Sequence, residues 1–94
     1  LEVLSLAFNK IDKIENLESL GKLKELNLTF NSIEKLENFE GLKSLEILSV
    51  FGNKIKKIEN VDCLESLIIF SAGNNLIETK DGVRKKNKIL LKKS

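Results

Sequence analysis

An asparagine that returns every 22 residues is the feature that most constrains how this sequence can fold. It stands at Asn9, Asn31, Asn53 and Asn75. Around each of them the same frame recurs, LxxLxLxxNxI, and in the first three copies the frame continues into further apolar residues spaced three apart. Self-similarity at a fixed period of this length indicates a stack of repeats rather than an irregular core.

Each repeat contains two local patterns. Its first half alternates apolar and polar residues, which predicts a short half-buried strand, and its second half predicts a tight helical or 3₁₀ turn. One unit cannot bury its apolar face alone, so the units must stack around a continuous core. We therefore predict an α/β solenoid with a parallel sheet on its concave face and short helical or 3₁₀ turns on its convex face.

The recurring asparagines have a predicted structural role. A buried Asn amide can both donate and accept hydrogen bonds, so the column at Asn9, Asn31, Asn53 and Asn75 is expected to form a ladder that satisfies the backbone of successive turns. A second column precedes the convex turns at Asn16, Asn38 and Asn60. We expect these three side chains to cap short helices.

Composition excludes most chemistry. The sequence has no His and a single Cys, so it holds no Ser-His-Asp or Cys-His pair, no His-containing metal site and no internal disulfide. No Gly-rich phosphate loop opens a helix. The longest apolar run has four residues, against about 20 for a membrane span. We expect no enzyme activity, no cofactor, no metal, no small-molecule substrate and no membrane partner.

The net charge of +2 hides an asymmetry along the chain. Residues 1–79 carry a net charge of −4 and residues 80–94 a net charge of +6. We predict repeats over 1–79, divided as 1–22, 23–44, 45–66 and a partial unit at 67–79. Residues 80–94 are predicted to be a basic end segment or an irregular cap, although a contact with an acidic protein or with nucleic acid is an alternative. Because the sequence opens on Leu1, we expect an excerpt of a longer protein.

Strand residues that point away from the core are the predicted partner-binding surface. In the first repeat these outward residues are Val3, Ser5, Ala7 and Phe8, and each of them begins a column that repeats every 22 residues through the four repeats. Of the sixteen positions in these four columns, only Glu25 is charged. Charge depletion with apolar anchors is typical of protein-binding surfaces. The candidate partner-binding residues are Val3, Phe8, Glu25, Asn27, Phe30, Ile47, Phe51 and Ile69. The alternative for the three Phe residues is packing over the asparagines as the edge of the core.

The frame resembles the 22-residue leucine-rich repeat class found in the nuclear regulatory subunit of protein phosphatase 1 and in axonemal dynein proteins. The strand ends at Phe30-Asn31, Phe51-Gly52-Asn53 and Gly73-Asn74-Asn75 are similar to those of the leucine-rich repeat subunit of the ciliary nexin–dynein regulatory complex. That family has coiled-coil segments after its repeats, and this sequence has none.

The resemblance implies a non-catalytic protein–protein interaction scaffold that serves as an axonemal dynein-regulatory assembly subunit. Its partners would be dynein-regulatory or other axonemal proteins, and its location the cytoplasm and the cytoskeleton of the cilium or flagellum. Two alternatives remain open. They are a phosphatase-regulating scaffold and a spliceosomal-type leucine-rich repeat protein that presents an RNA-binding partner.

Overall fold

Five short strands form one sheet. The computed structural model describes residues 2–77 and the short strand at 89–90. The strands are β1 (Val3–Ser5), β2 (Glu25–Asn27), β3 (Ile47–Ser49), β4 (Ile69–Ser71) and β5 (Ile89–Leu90). They lie side by side in chain order, so that each repeat contributes one strand beside the strand before it.

The sequence period becomes the register of the sheet. The first four strands are parallel, and each residue pairs with the residue 22 positions later, as Leu4 does with Leu26 and Leu26 with Leu48. β4 continues the pattern, with Phe70 opposite Leu48. The predicted leucine-rich repeat solenoid with a parallel sheet is confirmed.

The core lies behind the sheet and is built from the apolar positions of the frame. In β2, β3 and β4 the middle residue is buried and its two neighbours are half-buried, as alternation predicts. Side chains that are fully covered include Leu26, Leu36, Phe39, Leu48 and Phe70. The first repeat is less covered, since Leu4, Leu6 and Ile11 are only half-buried.

The convex side consists of turns, and residues 2–77 contain no helix. Each of the first three repeats places two turns in succession, each closed by an N–H that bonds the carbonyl three residues earlier. These N–H to C=O pairs are Leu20 to Leu17, Leu23 to Leu20, Leu42 to Phe39, Leu45 to Leu42, Leu64 to Val61 and Leu67 to Leu64. This bond is the one a 3₁₀ turn uses, but the two bonds of each repeat are three residues apart rather than consecutive, so they close separate turns and not a helix.

The second asparagine column does not cap helices, so that prediction is wrong. Asn16, Asn38 and Asn60 have φ of 64°, 64° and 60°, whereas a helix N-cap has an extended backbone. Asn is among the few residues that adopt this left-handed conformation readily. Asn38 Nδ2 donates to the Ile14 carbonyl and Asn60 Nδ2 to the Leu36 carbonyl, both at 2.7 Å. This column therefore links successive repeats on the convex side.

The asparagine ladder joins each repeat to the one before it. Asn53 Oδ1 accepts the Ile33 N–H at 3.0 Å, and Asn53 Nδ2 donates to the Leu28 carbonyl at 2.9 Å. The same Nδ2 donates to the carbonyls of Val50 and Phe51 in its own turn. One side chain thus satisfies backbone groups of two repeats.

The ladder repeats along the stack except at its first member. Asn31 and Asn75 make the same four kinds of bond one repeat earlier and one repeat later. Asn31 and Asn53 are 8% and 6% exposed. Asn9 is exposed, and within the described residues it bonds only the Leu6 and Ala7 carbonyls of its own turn.

The last strand runs against the others. β5 pairs antiparallel with β4, with Ile69 opposite Leu90 and Phe70 opposite Ile89. The chain therefore returns along the sheet here instead of adding a further parallel repeat. The rest of the predicted basic end segment at 80–94 lies outside the described residues, and the division after residue 79 stays a prediction.

Replacing Asn53 tests the ladder. Asn53→Ala leaves backbone groups of two repeats without partners, and we expect a loss of about 1–3 kcal/mol in the free energy of unfolding, the usual cost of buried unpaired polar groups. Urea denaturation measures it. Asn9→Ala is the matched control, because among the described residues Asn9 bonds only the carbonyls of its own turn. An equal loss in the two variants would contradict a role in joining repeats.

Candidate functional site

The outward side of the sheet presents an apolar surface, called the sheet face here, made of strand residues and the turn residues that follow each strand. Val3, Phe8 and Phe30 are 56%, 77% and 40% exposed. The other candidate residues are half-buried: Glu25, Asn27, Ile47, Phe51 and Ile69. All eight predicted residues lie on the four parallel strands or on the turns that directly follow them.

Three phenylalanines form an aromatic strip along one side of the sheet face. The rings of Phe8 and Phe30 are stacked, with centroids 5.1 Å apart and planes at 29°. Phe30 meets Phe51 edge to face, with centroids 5.6 Å apart and planes at 84°. Both arrangements are favoured by aromatic quadrupoles. None of the three belongs to the buried core cluster, so the strip is a surface feature supported by contacts between its own rings.

The backbone beneath the aromatic strip is left-handed. Phe8 and Phe30 have φ of 58° and 55°, and the next residues of their column, Gly52 and Asn74, have φ of 72° and 54°. Gly and Asn adopt this conformation readily, whereas a bulky residue pays roughly 1–2 kcal/mol. Phe8 and Phe30 are therefore held in a costly conformation at an exposed position.

Gly52 makes room for the strip. A Cβ added at Gly52 would lie 2.5 Å from Cδ1 of Phe30, closer than any non-bonded carbon contact. In this repeat the aromatic residue comes one position earlier, at Phe51, and its ring packs against Phe30 from there. In the sequence, the column that holds Phe8 and Phe30 changes to glycine at Gly52, and a Phe stands one position earlier. This change is the sequence feature from which the arrangement could have been predicted.

A small polar network occupies the centre of the sheet face. Asn27 Oδ1 accepts the Thr29 N–H at 3.0 Å and also the Thr29 hydroxyl. The Thr29 and Ser49 hydroxyls lie 2.9 Å apart. Asn27 therefore uses its acceptor within the chain, and the part of its amide that can serve a ligand is Nδ2. Thr29 was not among the predicted site residues.

Paired charges lie beside the sheet face rather than on it. Lys24 Nζ is 3.4 Å from Glu46 Oε2, and Lys43 Nζ is 3.4 Å from Glu65 Oε2, in each case between successive repeats. All four side chains are well exposed, so each pair contributes at most about 1 kcal/mol. The sheet face itself keeps Glu25 as its one charge.

The acidic and Cys side chains of residues 2–77 do not gather into a metal site. No group of three or more His, Cys, Asp or Glu side chains within the described chain could hold a metal ion. No helix in that part of the chain has the length and apolarity to cross a membrane.

Comparison with known proteins gives the same architecture. The family described as leucine rich repeats (2 copies) matches residues 1–44. A chain in the crystal structure of a TLR13–ssRNA13 complex superposes with a TM-score of 0.76 at 32% sequence identity, covering 84% of this chain and 12% of that one. The chain has the leucine-rich repeat fold. Among curated proteins none matches it.

Leucine-rich repeat domains are typically non-catalytic scaffolds that bind other proteins. In this chain the sheet face carries one charge among its sixteen positions and holds the aromatic strip. The matched region spans only 12% of the TLR13 chain, so the similarity concerns the repeat fold and not the ligand of that protein.

Substituting Gly52 tests the support of the aromatic strip. Gly52→Ala introduces a Cβ against the Phe30 ring at a left-handed φ, and we expect a loss of about 1–3 kcal/mol in the free energy of unfolding from strain and displacement of the ring. Thermal and urea denaturation measure it. The control is Gly21→Ala, whose added Cβ would meet only an ordinary contact at 3.7 Å. If both variants lose the same stability, Gly52 has no special role.

Proposed function

We propose that this chain is a protein-binding scaffold whose sheet face holds an apolar segment of a partner protein. The observation that carries the proposal is the aromatic strip. Phe8 and Phe30 are 77% and 40% exposed although their backbone is strained. Local strain of this kind concentrates at functional sites.

The chemistry of the sheet face defines the partner segment. Val3, Ile47 and Ile69 lie on one side of the face, the aromatic strip lies on the other, and small polar residues lie between them. Four strands spaced about 4.8 Å apart span about 15 Å, which a helix covers in about ten residues. A short amphipathic helix or an extended segment fits this trough. One basic residue on the segment would pair with Glu25.

Single-stranded RNA is a weaker candidate for this face. The TLR13 structure is a complex with ssRNA13, and aromatic side chains can stack on bases. Phosphate binding, however, requires Lys or Arg along the path of the backbone. The sixteen outward positions of this chain contain neither, and their one charge is the carboxylate of Glu25. The charge distribution therefore favours a protein partner.

We propose further that the scaffold serves a dynein-regulatory assembly in the axoneme of cilia or flagella, in the cytoplasm. Support comes from the strand ends, which resemble those of the nexin–dynein regulatory subunit. A phosphatase-regulating scaffold and a spliceosomal-type scaffold are the competing assignments. The near-absence of charge on the sheet face argues against a partner held mainly by ion pairs.

Affinity capture from ciliated and unciliated cells tests both levels of the proposal. With the chain as bait, we expect axonemal proteins from ciliated cells, identified by quantitative mass spectrometry. Recovery of a phosphatase catalytic subunit or an RNA-binding protein, without axonemal proteins, would overturn the ciliary assignment. Either result would still identify a protein partner.

Two substitutions test whether capture uses the sheet face. Phe8→Ala and Val3→Asp change exposed side chains, so we expect a retained fold, checked by circular dichroism, and at least tenfold weaker partner binding because a few apolar anchors supply most of the binding energy of an interface. Lys35→Ala on the convex side is the matched control. Unchanged binding by the two face variants would place the partner elsewhere on the molecule.

A further inference from the structure

The polar side chains at the centre of the sheet face use most of their hydrogen-bonding capacity on one another. The Thr29 hydroxyl donates to Asn27 Oδ1, so Ser49 is the donor in the 2.9 Å contact between the Thr29 and Ser49 hydroxyls. The Thr29 N–H also donates to Asn27 Oδ1. Between β2 and β3 the main donor left for a ligand is therefore the Nδ2 group of Asn27.

An extended segment would lack backbone partners on this face. A segment lying across the strands carries one N–H and one C=O about every 3.3 Å, which gives about three backbone groups for each strand spacing of about 4.8 Å. The central column offers one polar side chain per strand, at Ser5, Asn27, Ser49 and Ser71. The two sides of the face are the aliphatic column and the aromatic strip. Covered backbone groups without partners are unfavourable, so the face disfavours an extended or polyproline segment.

An α-helix meets the same surface without this cost, because its backbone groups bond one another. Ile47 and Phe51, on the two sides of the face, are four residues apart, which sets a width of at most about 13 Å. A helix with its side chains is about 10–12 Å across. The face therefore has room for one helix between the aliphatic column and the aromatic strip.

The spacing of the repeats matches the spacing of side chains along a helix. Residues i, i+3, i+7 and i+10 lie on one side of a helix, at about 0, 4.5, 10.5 and 15 Å along its axis. Four strands lie at about 0, 4.8, 9.6 and 14.4 Å. The ring centroids of the aromatic strip are 5.1 and 5.6 Å apart, close to the helical pitch of about 5.4 Å. A helix lying along the stack thus meets each strand with one side chain.

Glu25 defines the charge of such a helix. This residue is half-buried, and among the described residues it makes no ion pair. Its partners on the neighbouring strands are the aliphatic residues Val3 and Ile47. A helix that covers Glu25 must supply a cation, because a covered carboxylate without a counter-charge is strongly unfavourable. Arg suits this place, since its guanidinium can bond a carboxylate with two N–H groups.

We propose that the sheet face holds a single amphipathic α-helix of a partner protein, an inference that rests on the protein-binding function proposed above. The helix lies along the stack, across the strands, with one apolar side chain per strand and one Arg or Lys opposite Glu25. Residues 2–77 contain no helix, so the described part of a second copy of this chain does not provide one.

A phage library of random peptides about 16 residues long, enough for about 24 Å of helix, is the first probe of the full chain. We expect the enriched peptides to repeat apolar residues at helical spacing, to carry one basic residue among them, and to bind the Phe8→Ala and Val3→Asp variants at least tenfold more weakly.

The two proposals fail differently in this selection. Enriched peptides that need the sheet face but alternate apolar and polar residues, or follow a proline-rich pattern, would overturn the helix and leave the protein-binding function standing. Enrichment of no peptide, or only of peptides that ignore both face variants, would count against both proposals.

Synthetic forms of an enriched peptide test the helix directly. Pro at an interior position on the side away from the sheet face should weaken binding at least tenfold, because Pro removes a helical hydrogen bond and clashes with the preceding turn. Ala at the same position is the control and should keep the affinity within about twofold. Equal affinities of the Pro and Ala peptides in calorimetry would overturn a helical occupant.

Exchange of charges tests the contact with Glu25. Glu25→Lys should weaken binding of the peptide at least tenfold, and Glu in place of the peptide's basic residue should restore it. Glu40→Lys is the matched control, because it makes the same charge change at an exposed convex position. Glu25→Gln keeps the side-chain shape, and it should abolish the preference for a basic over a neutral peptide residue even if the Lys variant fails to fold. Loss without restoration, an equal loss in Glu40→Lys, or an unchanged preference in Glu25→Gln would contradict the contact.

Discussion

The rest of this structure depends on the hydrogen bonds that Asn31, Asn53 and Asn75 make to the preceding repeat. The turn after each strand carries backbone N–H and C=O groups into a region that water does not reach, and such groups must find partners. Asn53 meets an N–H and several carbonyls at once, which no apolar side chain of its size can do.

Much of the fold could be predicted because one number, the 22-residue period, specifies strand register, core positions and the ladder together. Leu26, Leu48 and their equivalents repeat their environment when the period repeats. The convex side could not be predicted in the same way. Apolar residues three apart are compatible with a 3₁₀ helix and with a series of separate turns. The left-handed backbone at Asn38 and Asn60 interrupts a helical conformation, so the structure has turns there.

The repeat columns predict which residues lie on the sheet face, but they do not predict how the side chains of the aromatic strip are arranged. Outward-facing strand positions such as Ile47 follow from alternation alone. The arrangement of the aromatic strip depends on the backbone angles of Phe8 and Phe30 and on the missing Cβ of Gly52, which a periodic pattern does not specify.

The register of the sheet also governs which changes of chain length the fold can absorb. Ladder bonds join residues 20 and 25 positions apart, and strand partners are 22 apart. Gain or loss of one residue inside a strand would turn the strand residues after it to the opposite side of the sheet. Gain or loss of a whole unit leaves each remaining residue with an equivalent neighbour. Lineages of such a protein are therefore expected to vary in length by steps of one repeat, with smaller insertions confined to the turns.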